Sequence, residues 1–255
     1  MTGCATASSG DNLFVLGGYT SSGSGDPTIS ASCLNLSSTS NGFGYVEMAG
    51  EIPGNRIGMT CSVVGSSVFL YGGEGMAEGE VLGDLFEGVI ANGTIMWFAR
   101  RVEDAIENAP GGASKSDAGQ PSGEGDAPIA VPASVTRKSK PMWPAARKFA
   151  ASCKALCKGG VEKFFVCGGG GSQSSGKQHS LLFDPATKRW SDASCSGKSP
   201  MPLMKHTITE VAGCGVVFGG KGVNSGDVFQ GLAVIDFETM GWSSPKLGGT
   251  VPEAR

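Results

Sequence analysis

The chain holds two histidines, eight cysteines and one glycine run, and these bound the catalytic or metal chemistry it could carry. His179 lies in a Gln- and Ser-rich loop, far in sequence from His206. His206 follows Lys205 at the start of the strand-like stretch Thr207-Ile208-Thr209, and reads as a strand-start residue. A zinc site needs about four ligands, and Cys153 and Cys157 have no second close pair and no matching histidines. Cys61, Cys167 and Cys214 sit in apolar runs, where a free thiol behaves as a small buried hydrophobe. Gly168-Gly169-Gly170-Gly171-Ser172 lacks the Gly-Lys-Ser/Thr ending of a phosphate loop. No serine stands in a nucleophile-elbow pattern. The expectation is a chain that is not an enzyme and has no catalytic residue, metal or cofactor.

What must position any functional residue is a repeat. An apolar run ending in Gly-Gly occurs four times: Leu13–Gly18, Val68–Gly73, Phe164–Gly169 and Val216–Gly220. An aromatic follows each doublet, at Tyr45, Trp97, Trp190 and Trp242. A proline three residues before a basic residue comes next: Pro53 with Arg56, Pro144 with Arg147, Pro202 with Lys205, Pro252 with Arg255. Gly and Pro make up about a fifth of the 255 residues and split the chain into short strand-like pieces. Hydrophobic residues are 40%, enough to build a sizeable core. Charged residues are 17% and the net charge is −3, which argues against a nucleic-acid binder held by a basic face. No apolar run approaches a membrane span.

Three marks in one order, four times over, resemble the kelch repeat, whose period is near 50 residues. Arg56 to Gly65 matches that family's first strand, Val68 to Gly73 the second, and Leu82-Gly83-Asp84-Leu85-Phe86 the third. Asp184 to Trp190 and Asp236 to Trp242 match the turn into the fourth strand. The resemblance implies an all-β fold, a kelch-type β-propeller taking in residues 1–255. It has four recognisable four-stranded blades at about 4–50, 51–100, 141–197 and 198–250. Stacking buries the faces that one sheet cannot bury alone. The doublet suits a place where backbones crowd or where φ is positive. The aromatic suits a wedge between blades.

Residues 101–140 contain no Phe, Trp, Tyr, Leu, Met or Cys. They read as a disordered insertion between blades, because they cannot bury enough apolar area to offset ordering entropy. Residues 251–255 read as the start of a further repeat. Two alternatives stay open for the blade number: a piece of a longer propeller, or an arc that a partner completes. An open arc leaves strands that could self-associate.

Propellers bind through loops on one face. The resemblance places the basic mark near that face, which makes Arg56, Arg147, Lys205, His206 and Arg255 the candidate partner-binding residues. Such a ring suits capture of carboxylates on a protein or acidic peptide. The alternative is that each arginine caps strands within its own blade. The expected function is a non-catalytic protein-protein interaction module, a scaffold or adaptor. The alternative function is an accessory propeller domain of a larger multidomain enzyme. Expected partners include neither nucleic acid nor membrane. With no secretory signal at the start, reduced thiols and a cytoplasmic location are expected.

Overall fold

The computed structural model describes residues 3–18, 29–37, 42–101, 142–171, 179–246 and 248–250. The insertion beyond Arg101, through residue 140, and residues 251–255 with Arg255 lie outside them. The described residues form strands, turns and loops with no helix. The fold is an all-β propeller of four blades, as the sequence led us to expect.

Blade 1 consists of β1 (Ala5–Ser9), β2 (Asn12–Leu16), β3 (Ala31–Asn35) and β4 (Gly44–Tyr45). Blade 2 consists of β5 (Glu47–Gly50), β6 (Thr60–Val64), β7 (Ser67–Glu74), β8 (Val81–Ala91) and β9 (Thr94–Arg100). Blade 3 consists of β10 (Ala151–Cys157), β11 (Val161–Cys167), β12 (Ser180–Asp184) and β13 (Arg189–Asp192). Blade 4 holds β14 (Ser196–Gly197), β16 (Thr207–Val211), β17 (Cys214–Phe218), β19 (Leu232–Asp236) and β20 (Gly241–Ser243). Between these, β15 (Leu203–Met204) pairs with β18 (Lys221–Gly222).

Each blade is an antiparallel meander of four strands. The hairpin β8–β9 turns at Asn92-Gly93 with φ of 51° and 80°, the two left-handed residues that match strand twist in a two-residue loop. The linkers after blades 1 and 3 do not stay with those blades. β5 adds parallel to β9, and β14 adds parallel to β20, so residues 47–50 and 196–197 belong to the following sheet. A boundary set by composition misses this, because a linker donates its hydrogen bonds to whichever outer strand is free.

The innermost strands pack in chain order, β1 on β6, β6 on β10 and β10 on β16. They line a polar channel of about 490 Å³ that carries Thr6, Ser8, Ser62, Ser152, Lys154, Glu162 and Glu210. Three cores fill the junctions between blades. Trp97 lies buried with Phe14 and Leu16 between blades 1 and 2. Trp190 lies with Phe69 and Tyr71 between blades 2 and 3. Trp242 lies with Phe165 and Cys167 between blades 3 and 4. The three tryptophans are the wedges the repeat implies. Tyr45 is not one: it is 77% exposed. Trp97, Trp190 and Trp242 pair with Gly88, Phe183 and Ile235. In blade 1, Tyr45 pairs with Ser32, and one step further along that register Phe43 stands opposite Leu34. Phe43 therefore takes the tryptophan's place, and it too is exposed.

Candidate functional site

All eight doublet glycines have positive φ, from 59° at Gly17 to 109° at Gly73. Crowding and left-handed backbone both apply. A side chain on Gly72 would meet the carbonyl of Arg147, and one on Gly168 the carbonyl of Leu203. Those carbonyls accept from the second glycines, Gly73 N–H at 2.9 Å and Gly169 N–H at 2.8 Å. The doublet is thus the socket into which the loop entering the next blade hydrogen-bonds.

This register shows where the basic marks stand. Thr60 pairs with Tyr71 and Ala151 with Cys167, each just before its doublet, and Arg56 and Arg147 lie four residues upstream. In blade 4 the pair is Thr207 with Phe218, so the same place belongs to Leu203, not to Lys205. Arg56 is 3% exposed and Arg147 is 7% exposed. Arg56 donates to Gly54 O and Gly72 O and pairs with Asp84. Arg147 donates to Ala145 O and Gly168 O. Each arginine staples the doublet of its own blade, so the expected basic ring is corrected at these two positions. Their charge is spent on buried carbonyls, which cannot be left unpaired cheaply. His206 is corrected as well. It is buried, with Nε2 3.4 Å from Cys167 Sγ, and no described group partners its Nδ1.

Burial pushes the His206 pKa down to about 4. The same cause raises the Cys167 thiol, so the two form a neutral pair rather than an activated nucleophile. An imidazole that ionises near 6.5 when unfolded and near 4 when folded takes up its proton first in the unfolded chain. Its effect is nil at pH 7, and stability falls as pH drops through the window from 6.5 to 4. The full loss is about 3 kcal/mol at one pKa unit per 1.36 kcal/mol. Urea unfolding of His206→Gln beside the parent at pH 7 and pH 4.5 measures it. The expected result is a smaller acid loss in the variant; equal losses would remove His206 as the cause.

A different set of residues forms a rim where the innermost strands begin, at the doublet end of the blades. Gly3, Gly58, Phe149 and Lys205 each lie two residues before an innermost strand, and all four have positive φ, 57° and 59° at the two non-glycines. Their backbones form one chain of hydrogen bonds across the blades. Gly58 N–H donates to Gly3 O at 3.0 Å, Phe149 N–H to Gly58 O at 2.6 Å, and Lys205 N–H to Phe149 O at 3.0 Å. At this rim Lys205 Nζ stands 4.8 Å from the centre of the Phe149 ring, and Lys148 Nζ stands 5.9 Å from it. Lys148 also pairs with Glu74 at 2.6 Å, whereas Lys205 is exposed and has no carboxylate partner among the described residues. Of the expected partner-binding residues, Lys205 alone is placed outward within the described chain. Phe149 was not singled out in the sequence. A bulky residue in left-handed backbone is the signal that marks it, and φ is not written in composition.

Among the described residues no group of three His, Cys, Asp or Glu side chains is placed to hold a metal ion. All eight cysteines are free.

No family model matches the chain. No curated protein matches it. A solved structure described as "Structure of YjhT" is similar, with a TM-score of 0.59 at 14% sequence identity. The match covers 96% of this chain and 65% of that one, so the chain spans about two thirds of that structure's length. At this identity the likeness concerns the fold, and the fold it supports is the β-propeller.

Proposed function

We propose that the chain is a kelch-type, non-catalytic interaction module that binds an acidic segment of a protein partner at the rim where the innermost strands begin. The observation that carries this reading is the Lys205–Phe149–Lys148 cluster. Two ammonium groups flank one half-buried aromatic ring at the end of the propeller where the post-doublet loops emerge. A carboxylate can meet the exposed ammonium of Lys205, while the ring face offers apolar contact to the same side chain. The rim backbone is tied from blade to blade by hydrogen bonds, so the backbone that carries these side chains is in place before a ligand arrives.

The test uses a fluorescein-labelled Glu-rich peptide and fluorescence anisotropy at two salt concentrations. The parent chain is expected to bind, more weakly at high salt, and Lys205→Glu to lose at least about tenfold in affinity, the scale of one charge-assisted contact. An unchanged affinity in Lys205→Glu, or no salt dependence, would sink the rim as the binding surface. Lys205→Arg serves as the conservative control and should retain the φ-compatible backbone and the charge.

A further inference from the structure

The junction between blades 3 and 4 is rich in sulfur. Cys153 and Cys167 belong to its buried core, and Cys157, Cys195 and Met201 pack against that core from the half-buried side. His206 enters the same junction just before β16, and its Nε2 stands 3.4 Å from Cys167 Sγ. Gly168 brings a third side chain to this pair. A methyl group on Gly168 would stand 2.6 Å from His206 Cε1 and 3.1 Å from Met201 Sδ. The edge of the imidazole and the thioether therefore crowd one point beside Cys167. The end of β11, the linker into blade 4 and the start of β16 each contribute one of the three side chains.

A nitrogen and a sulfur at 3.4 Å suit a weak S–H···N hydrogen bond, and they suit shared ligation equally well. A first-row ion with bonds of about 2.0 Å to nitrogen and about 2.3 Å to sulfur spans that separation at an angle of roughly 100–110°, near tetrahedral. The ring is in its ligand form at pH 7, because burial takes its pKa down to about 4 and keeps it neutral. Burial raises the Cys167 thiol, which disfavours a bare thiolate. A thiolate bound to a monovalent cation carries no net charge and escapes that cost. Charge also selects the ion. Arg147 Nη1 donates to Gly168 O at 3.1 Å, so a guanidinium already stands in this buried corner. A divalent ion on one thiolate would leave a second positive charge there without a counter-charge. The donor types point the same way. Zinc takes four ligands of cysteine, histidine or carboxylate type, whereas thiolate and thioether together favour copper(I).

We propose that Cys167 Sγ, His206 Nε2 and Met201 Sδ form a copper(I) site between blades 3 and 4. The metal arrives and remains as copper(I). As the S–Cu bond forms, the Cys167 proton passes to solvent, and no electron is transferred. Met201, half-buried, stands on the entry side. All three ligands lie inside an interior junction, so the site is complete within the described residues. The bound ion ties β11 to the loop entering blade 4. This adds a cross-link beside the socket where Gly169 N–H donates to Leu203 O at 2.8 Å. Binding is therefore expected to stabilise the fold. The acid response of His206 is that of the metal-free chain.

The test is an anaerobic titration of the full chain with copper(I), supplied as its acetonitrile complex, in competition with bicinchoninate. The chelator strips copper from isolated thiols and leaves a tight site filled. The parent is expected to retain one copper(I) per chain. Cys167→Ser, His206→Gln and Met201→Leu are each expected to lose at least about tenfold in affinity, since even an outer partner of a metal ligand is worth 10–100-fold. Met201→Leu carries the test if the two buried variants unfold, because it conserves volume at a half-buried position. Cys33→Ser and Cys214→Ser, thiols outside the site, should bind as the parent does. X-ray absorption at the copper edge should show one imidazole with two sulfurs. A parent that yields all its copper to bicinchoninate overturns the proposal and leaves the pair as a hydrogen bond only. It is equally overturned by Met201→Leu binding as tightly as the parent, or by an all-sulfur ligand set. Zinc held more tightly than copper(I) at the same stoichiometry overturns the choice of a monovalent ion.

Discussion

Glu87→Ala is expected to destabilise the fold by about 3–5 kcal/mol, the range for removing one partner of a buried charge cluster. Glu87 is 7% exposed on β8. It accepts from Ser67 Oγ at 3.0 Å, from Arg100 Nε at 2.8 Å, and from Lys188 Nζ at 2.9 Å. Lys188 comes from the β12–β13 turn of blade 3, itself in left-handed backbone at φ 55°. The carboxylate therefore bolts blade 2 to blade 3. Burial alone would raise its pKa, but the hydrogen bonds from Lys188 and Arg100 outweigh burial and hold it below the usual value. The sign follows. The stabilisation is present above the unfolded carboxylate pKa of about 4.3 and fades as pH falls through the lower folded value. Truncation leaves two partly buried cations without their carboxylate, so the loss should appear at pH 7 as a lower urea midpoint. Lys188→Met combined with Glu87→Met removes both charges and should recover part of the loss, although Arg100 still faces the pair. A cost for Glu87→Ala under 1 kcal/mol would show that water reaches the cluster.

The blades were legible in the sequence because their marks are local. A doublet, a following aromatic and a Gly-turned hairpin each lie within a few strands of one another, and three of the four aromatics became buried wedges. Register was not legible, because it depends on where each strand starts pairing. Counting from proline put Lys205 in line with Arg56 and Arg147. Counting from the strand pair Thr207–Phe218 puts Leu203 there instead. The same error made Tyr45 the wedge of blade 1 in place of Phe43, since only pairing with Ser32 fixes the phase of β4. Side-chain charge misled for a related reason. Arg56 and Arg147 look like surface cations in a linear chain, and only the folded socket offers them buried carbonyls at Gly72 and Gly168. The rim cluster and the Glu87–Lys188 bolt join residues 56 and 101 positions apart, distances at which no short motif exists. A lysine and a phenylalanine so separated become one site only when neighbouring blades are set side by side.

Gly168→Ala should cost about 2–5 kcal/mol, although it adds a single methyl group. Two independent penalties meet there. The residue sits at φ 65°, where an L side chain is disfavoured by about 1–2 kcal/mol. The new methyl would also meet the Leu203 carbonyl, with the His206 ring beside it. Forcing such a group into a filled space costs about 1–3 kcal/mol more. The carbonyl cannot simply retreat, because it accepts the Gly169 N–H that seats the loop entering blade 4. Strain at Gly168 is thus expected to loosen the junction between blades 3 and 4 before the rest of the fold. Trp242 is the reporter, since it is buried in that junction, while Trp97 lies two junctions away. Amide exchange should rise first in β16 and β17. Gly159→Ala offers the contrast: its φ is 83°, but nothing lies within contact of the added methyl. It should carry the backbone penalty alone. If both substitutions cost the same, the doublet recurs in this chain for left-handed backbone only, and the socket for the next blade's loop exerts no steric demand. If Gly168→Ala costs at least twice as much, the socket sets the spacing between blades, and with it the position of the Lys205–Phe149 rim.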